Sequence, residues 1–470
     1  MNKKTKIIAT IGPASDSVDQ IKKLILSGVN IFRFNTKHST IDWHDERIKR
    51  VQRISKELKK NIGIMIDLQG GETRIITKNE KEIEIKKNQI INIASSFFSQ
   101  DILIVIPNKE IIEKLKKNDT IFIDDGEVEL KIIEKKKKYI KARIIEGESI
   151  KNKKGVNFPK TKIDFPSFVE KDIKILNKIF NNNIDFVALS FVNSKNDVLS
   201  LRKELKKRKM KSLIVSKIEG KGAINKIDEI IESSDAIMIA RGDLGIEAPI
   251  EELAYQQKKI INKSRKKRIP VIVATQMLHS MINNYKPTRA EVTDVANAVF
   301  DGADAVMLSE ETALGKYPIK AVKVMEKIIK FNETKSFFLD LEKPSFNSNY
   351  TEFVVTAINN QLLKNKLKIK TAFVFTESGY TARVLSSFRP KIKIIAITNN
   401  KEVTGQLSLS YGVIPFYSPE SFNNLELPKK ITEQLKNKKI ILKNETVAIF
   451  HGRYNKKPNL LNLFSLTKIR

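Results

Sequence analysis

Short apolar runs recur along this chain, each stopping abruptly at polar or charged residues and each separated from the next by a helix-like segment. Few folds accommodate that rhythm. Strands buried on both faces read as continuous apolar runs, and parallel strands need a crossover, usually a helix, between them. Runs at 7–11, 29–34 and 62–66 are followed, after an interruption, by runs at 186–189, 213–215, 236–239, 271–273 and 305–308. That makes about eight, the number that closes a (β/α)8 TIM barrel. Local punctuation agrees: Gly12-Pro13 ends the first run, Ser17-Val18-Asp19-Gln20 has capping-box spacing, and Gly28 can close the helix that follows.

The rhythm breaks twice. Between 70 and 166 short alternating segments divided by turn residues indicate an inserted all-β domain, with the dense lysine run at 135–138 as a solvated hairpin turn. Past about residue 335 a stretch beginning at Pro344 marks a boundary, and a new βα series follows, with strands expected at 372–375, 394–397, 413–416 and 447–450. The fold class is therefore α/β. Barrel segments are expected at 1–69 and 167–338, the β insertion at 70–166 and an α/β domain at 339–470.

The ends of the barrel runs carry the chemistry. They present Arg33 and Asn35, Asp67, Ser190, Lys217 and Glu219, Arg241 and Asp243, Thr275 and Gln276, then Ser309 and Glu311. In a barrel these ends meet at one mouth. Asp243 lies in the segment 240–247, where a buried strand would meet a helix start, a junction suited to a cation and an anionic oxygen. Glu219 and Asp243 supply hard oxygen ligands that fit Mg²⁺ or Mn²⁺ completed by substrate and water. Lys217, two residues before Glu219, shares its side of the strand and can balance a phosphoryl group or an enolate. A buried salt bridge without function is the competing reading of Lys217.

Composition restricts the alternatives. The chain has 470 residues, 41% of them hydrophobic, and no cysteine, so disulfides, thiolate metal sites and cysteine nucleophiles are excluded. The longest apolar runs cover about six to nine residues against the roughly 20 that span a bilayer, so a cytoplasmic protein without membrane contact is expected. The net charge of +32 would suit nucleic acid, yet lysine is enriched everywhere and no recognition motif accompanies it. No nucleic-acid partner is expected.

Six motifs carry a resemblance over nearly the full length: the segment 5–13, Asp67-Leu68-Gln69-Gly70, Ser216-Lys217-Ile218-Glu219, the segment 240–245, Ala274-Thr275-Gln276-Met277-Leu278 and Pro287-Thr288-Arg289-Ala290-Glu291. In these the chain resembles the pyruvate kinases. The resemblance implies phosphoryl transfer from phosphoenolpyruvate to ADP, a mobile lid inserted after the third strand, and a C-terminal domain for assembly, as a homotetramer, and for effectors. It implies Lys217, Arg33 and Thr275 as catalytic residues, with Gly242 and Asp243 also on the phosphoenolpyruvate side. Glu219 and Asp243 become ligands of Mg²⁺ or Mn²⁺. Asn35, His38, Arg74 and Lys154 fall on the nucleotide side. Between an expected strand and helix of the C-terminal domain, Thr376, Ser378, Gly379 and Thr381 either receive a phosphate as an effector loop, through hydroxyls and helix N–H groups, or form an ordinary N-cap.

The chain departs from that pattern on one wall. A serine usual after the second strand is Lys37 here, where Asn35, Asp67 and Leu68 would otherwise help bind K⁺. Either the Lys37 amine replaces K⁺, or it turns to solvent and the ion site is weakened. Glu72, which accompanies potassium dependence in the family, points the other way, so K⁺ use stays open. Gly71 replaces a proline, Asn193 and Tyr380 replace arginines, and Glu310 stands where a small residue is usual. Two other readings remain: a different Mg-dependent enolate lyase or aldolase on the same barrel, and a catalytically weakened basic binding protein.

Overall fold

The computed structural model describes residues 3–71, 73–124, 126–159, 161, 168–335, 350–364, 368–420, 427–438, 440–451 and 463–469. Glu72, the expected boundary at 338–339 and the stretch beginning at Pro344 lie outside the described residues. Eight parallel strands form a closed barrel: β1 (Lys6–Thr10), β2 (Ile31–Asn35), β3 (Gly63–Asp67), β4 (Phe186–Leu189), β5 (Leu213–Ile218), β6 (Ala236–Ala240), β7 (Val271–Ala274) and β8 (Ala305–Leu308). Each strand pairs with its sequence neighbours, and β1 closes the ring against β8. Helices cross between them, the first capped as the sequence implies, with Ser17 accepting from Gln20 N and Gly28 in a left-handed conformation.

Period-two alternation decides what faces the barrel axis. Ile8, Ile31, Met65, Phe186, Ala188, Val215, Met238, Ile272, Ala274 and Met307 form one buried cluster. Two residues beyond members of that cluster come Thr10, Arg33, Asp67, Ser190 and Lys217, and two beyond Lys217 comes Glu219. The apolar interior thus continues upward into a charged layer on the same face. Register keeps that layer level: Thr10 pairs with Arg33, Asn35 with Asp67, and Ala240 with Ala274.

Between β3 and β4 the chain leaves the barrel to form a seven-stranded sheet of mainly antiparallel strands around its own apolar core, and then returns. The insertion is not purely β, since Lys109–Lys114 is helical, with Ile111 and Ile112 buried against that core. Among the described residues the C-terminal sheet has five strands, Thr371–Phe375, Lys393–Thr398, Val413–Tyr417, Thr446–His451 and Leu463–Lys468. The last extends the expected series of four: residues 463–468 pair antiparallel along the whole of Thr446–His451. It covers the edge that Thr446–His451 would otherwise leave open. Leu409, from the C-terminal domain, joins the cluster inside the barrel and plugs its lower end. Among the described residues no helix is long and apolar enough to cross a membrane.

Candidate active site

Lys217 is the centre of the charged layer and is 6% exposed. Its ammonium lies 2.8 Å from Glu219 Oε1 and 3.3 Å from Asp67 Oδ1, and it donates to Ser190 Oγ at 2.8 Å. Burial alone would lower its pKa, but Asp67 and Glu219 outweigh burial and hold it above the usual lysine value. Asp243 adds to the same effect, so it lies within electrostatic reach of the ammonium. Asp67 shows the mirror image. Burial would raise its pKa, whereas Lys217 and Arg33 pull it below the ordinary carboxylate value. Arg33 grips Asp67 Oδ2 through Nε at 2.7 Å and Nη2 at 2.6 Å, and donates to Thr10 Oγ1 at 3.0 Å.

The opposite side is built on strained backbone. Thr275 and Gln276 have φ of 67° and 53°, and Phe191, at the end of β4, has 53°. Positive φ is costly for a β-branched residue such as Thr275, and such outliers concentrate where a site over-determines the chain. Arg241 supplies the restraint, donating to Thr275 O at 2.8 Å and pairing with Asp294 at 2.6 Å. Thr275 Oγ1 donates to Ala274 O at 2.6 Å and accepts from Gly242 N at 2.8 Å. That last bond ties together Gly242 and Thr275, two residues expected on the phosphoenolpyruvate side. Residues 241–247 form a short helix that starts directly on β6 without a loop and has Asp243 in its first turn.

The donor set fits a divalent cation of the hard type. Glu219, 2% exposed, holds one oxygen toward Lys217 and accepts from Phe191 N at 2.6 Å through the other, so its carboxylate is fixed in place. No group of three or more His, Asp or Glu able to hold a metal occurs among the described residues. Two protein carboxylates with the remaining ligands from substrate and water is the coordination that Mg²⁺ favours.

On the third wall His38 lies among cations. Burial first, then Arg74, Lys37, Arg33 and Lys171, lower its pKa, so the imidazole is neutral near pH 7. Lys37 is half-buried, its ammonium 5.7 Å from the centre of the Phe191 ring and its N–H on Asn35 Oδ1 at 3.1 Å. Its amine therefore lies on the Phe191 side of the mouth. Leu68 O, an expected K⁺ ligand, accepts from Ser190 Oγ at 2.8 Å. Arg74 and Lys154 stand on the neck of the insertion, where Arg74 bridges Gly155 and Ile75 N donates to Lys154 O. Lys154 does not reach out alone, because its ammonium is 2.7 Å from Asp124.

Two residues here escaped the sequence reading. Lys171 donates to Lys37 O at 3.4 Å. Asp172, fully buried, accepts from Gln69 N at 2.8 Å, Gly70 N at 3.1 Å and Val169 N at 2.9 Å, and so ties together both crossings between barrel and insertion. The available signal was an acid three residues after Val169, the N-cap of the helix that re-enters the barrel. The effector-type loop is distant in sequence and lies in the C-terminal domain. There Thr376 and Thr381 are buried, Ser378 Oγ accepts from Tyr380 N at 3.4 Å, and Gly379 has φ of 78°. Tyr380 donates to Glu352 at 2.7 Å.

Comparison with known proteins gives a consistent answer. Residues 2–322 match the family described as "Pyruvate kinase, barrel domain" and residues 357–466 that described as "Pyruvate kinase, alpha/beta domain". A pyruvate kinase of Thermococcus litoralis is 36% identical over 96% of this chain and 95% of its own. One from Thermotoga maritima is 38% identical over 95% of this chain and 96% of its own. A crystal structure of a pyruvate kinase from Cryptosporidium parvum superposes with a TM-score of 0.91 at 31% identity, covering 100% of this chain and 96% of that one.

Proposed function

The chain belongs to the pyruvate kinase family, and from that premise we propose how its own residues move a phosphoryl group from phosphoenolpyruvate to ADP. Family membership replaces the enolate-lyase reading, and the retained Lys217, Glu219, Asp243 and Thr275 argue against a weakened binding paralogue. The observation that carries the assignment of roles is the Lys217 ammonium, buried between Asp67, Glu219 and Ser190 at the barrel mouth.

Lys217 keeps its proton throughout the neutral range, so it acts as a fixed cation facing the phosphoryl and enolate oxygens and not as the acid. Arg33, immobilised by Asp67 and Thr10, adds a second fixed charge on the same side. Because neither group must reorganise, their field is available in full as charge moves. Glu219 and Asp243 would hold Mg²⁺ or Mn²⁺, which when bound supplies Lewis-acid neutralisation of substrate oxygens. Phosphoenolpyruvate lies along the helix start at Gly242 and Asp243, beside Thr275. A hydroxyl has one donor and two acceptor positions. Thr275 spends its donor on Ala274 O and one acceptor on Gly242 N, which leaves one lone pair to orient a water that protonates the enolate carbon.

Asn35, neutral His38, Arg74 and Lys154 face the ADP phosphates from the second strand and the insertion. The insertion acts as a lid that excludes water and so protects the phosphoryl group from hydrolysis. The Lys37 amine takes the place of K⁺. A cytoplasmic homotetramer is the assembly proposed, with residues 376–381 as its effector loop. The direct test is ATP formation from phosphoenolpyruvate and ADP with Mg²⁺, alongside Lys217→Met and a sizing measurement. No ATP from the parent protein in any salt would overturn the reading.

A further inference from the structure

The lid touches the barrel at a second place, across the mouth from its hinge. Asn157 lies on the short strand Val156–Asn157, and its Nδ2 donates to Glu247 Oε1 at 2.9 Å. The Phe158 N–H donates to the same carboxylate. Nearby, a Cβ added at Gly126 would lie 3.9 Å from Ile246 Cγ1, so that turn passes close to the helix. These contacts join residues more than 80 positions apart, and they join the lid to one particular element: the helix Arg241–Glu247.

That helix has chemistry at both ends. Gly242 and Asp243 occupy its first turn and Glu247 its last residue. At 1.5 Å per residue the two carboxylates are separated by about 6 Å along the axis, roughly one turn. The lid segment is equally compact. Asn157 follows Lys154 by three residues, and Arg74 bridges Gly155 between them. The strand is also fixed in register inside the lid, with Val156 opposite Ile123 and Asn157 opposite Phe122. Whatever holds Asn157 therefore sets where Arg74 and Lys154 stand relative to Asp243.

We propose that Glu247 is a positioning residue for phosphoryl transfer, a latch whose carboxylate receives Asn157 and Phe158 and seats the lid over the mouth. A carboxylate acceptor suits this task, because hydrogen bonds to a charged acceptor are stronger than neutral ones and re-form when the lid swings back. Burial raises the Glu247 pKa, and the Asn157 and Phe158 bonds oppose that by favouring the charged form. Placing the latch on the same short helix as Asp243 makes lid seating and the metal-side geometry parts of one rigid piece. The proposal rests on the reading of Arg74 and Lys154 as nucleotide-side cations.

Steady-state kinetics and binding test it. Glu247→Gln keeps the shape and weakens the bond, so KM for ADP should rise about tenfold and kcat fall, while phosphoenolpyruvate binding measured without nucleotide stays within about twofold. Asn157→Asp sets two carboxylates face to face and should do more damage. The exchanged pair, Glu247→Gln with Asn157→Asp, restores one donor and one acceptor and should recover most of the loss. Parental ADP dependence in Glu247→Gln, an equal loss of phosphoenolpyruvate affinity, or no recovery in the exchanged pair would each overturn the latch. Lys154→Met reads the underlying assignment separately. If it leaves ADP dependence unchanged, that assignment fails, whereas a strong Lys154→Met effect beside a silent Glu247→Gln rejects the latch alone.

Discussion

At Lys217, burial and charge pull on the same proton in opposite directions. The carboxylates of Asp67 and Glu219 win. Because the folded lysine pKa is raised, the pair's contribution is fully present below the unfolded value and is lost only at strongly alkaline pH. Asp67, with its folded pKa depressed, contributes above its unfolded value and loses that contribution only as pH falls through the folded one. Between about pH 5 and 9 both stay charged. Lys217→Met should therefore lower kcat by about 10²–10³-fold with no shift in the neutral pH profile. It should also cost about 3–5 kcal/mol in urea unfolding, because two buried carboxylates lose their cation. Adding Asp67→Asn should return part of that stability and none of the activity. Lys37 makes a different prediction. In tetramethylammonium salt, adding K⁺ should change parental turnover by less than about twofold, the effect of one fixed cation already in place. Lys37→Ser should become dependent on K⁺, and a many-fold K⁺ activation of the parent would refute the substitution.

Among elements, the hinge is decided by one buried side chain. Asp172 receives three backbone N–H groups from the two chain crossings, and burial raises its pKa even against those bonds. Gly70 can take part because its φ is 68°, and an added Cβ would come within 2.9 Å of Ser190 Cβ. Ser190 in turn holds Leu68 O and receives Lys217, so the hinge and the catalytic cation share a partner. Asp172→Asn turns an acceptor into a donor facing N–H groups, which should cost about 1–3 kcal/mol. Hydrogen exchange at Gln69 and Gly70 should accelerate while amides in β5 and β6 keep their protection. Unchanged exchange at Gln69 and Gly70 would remove the hinge role. These contacts also show what a sequence reveals. The strands, their polar ends and the Lys217 to Glu219 spacing were legible because alternation and apolar runs are local. Asp172 on the 69–70 hinge and Asn157 on Glu247 were not, since each is a contact across roughly 90 to 100 residues that leaves no local pattern. The strand at 463–468 was missed for a related reason: partial exposure, with Phe464 and Leu466 at 36% and 41%, blunts its apolar signature.

The whole molecule depends on a seam between the barrel's lower end and the C-terminal domain. Gly63 admits the Ser408 hydroxyl and Gly405 admits the Asp185 carboxylate, so the two surfaces meet where no side chain would fit. Lys6 crosses that seam, its ammonium donating to Val413 O at 2.6 Å, and Lys4 reaches Pro390 O at 2.8 Å. Burial pushes Lys6 down to about 8, partly opposed by Glu333 and Asp304. Lys4 is likewise lowered to about 8. A lysine whose folded pKa lies below its unfolded one binds fewer protons when folded, so stability rises with pH between the two values. Asp185 has the opposite slope: burial lifts it to about 7, and its loss of stability with rising pH is largely complete above that. From about pH 7.5 to 9 the lysines therefore govern, and Lys6 alone should add roughly 1 kcal/mol. Urea unfolding followed at those two pH values checks this. The parent's midpoint should move upward, and Lys6→Met should remove about a third of the rise while leaving the shares of Lys4 and of Lys3, which burial lowers to about 7. A midpoint that falls over this range in the parent, or rises equally in Lys6→Met, would mean that the seam lysine is already neutral or remains hydrated, and that the two domains are joined there by packing alone.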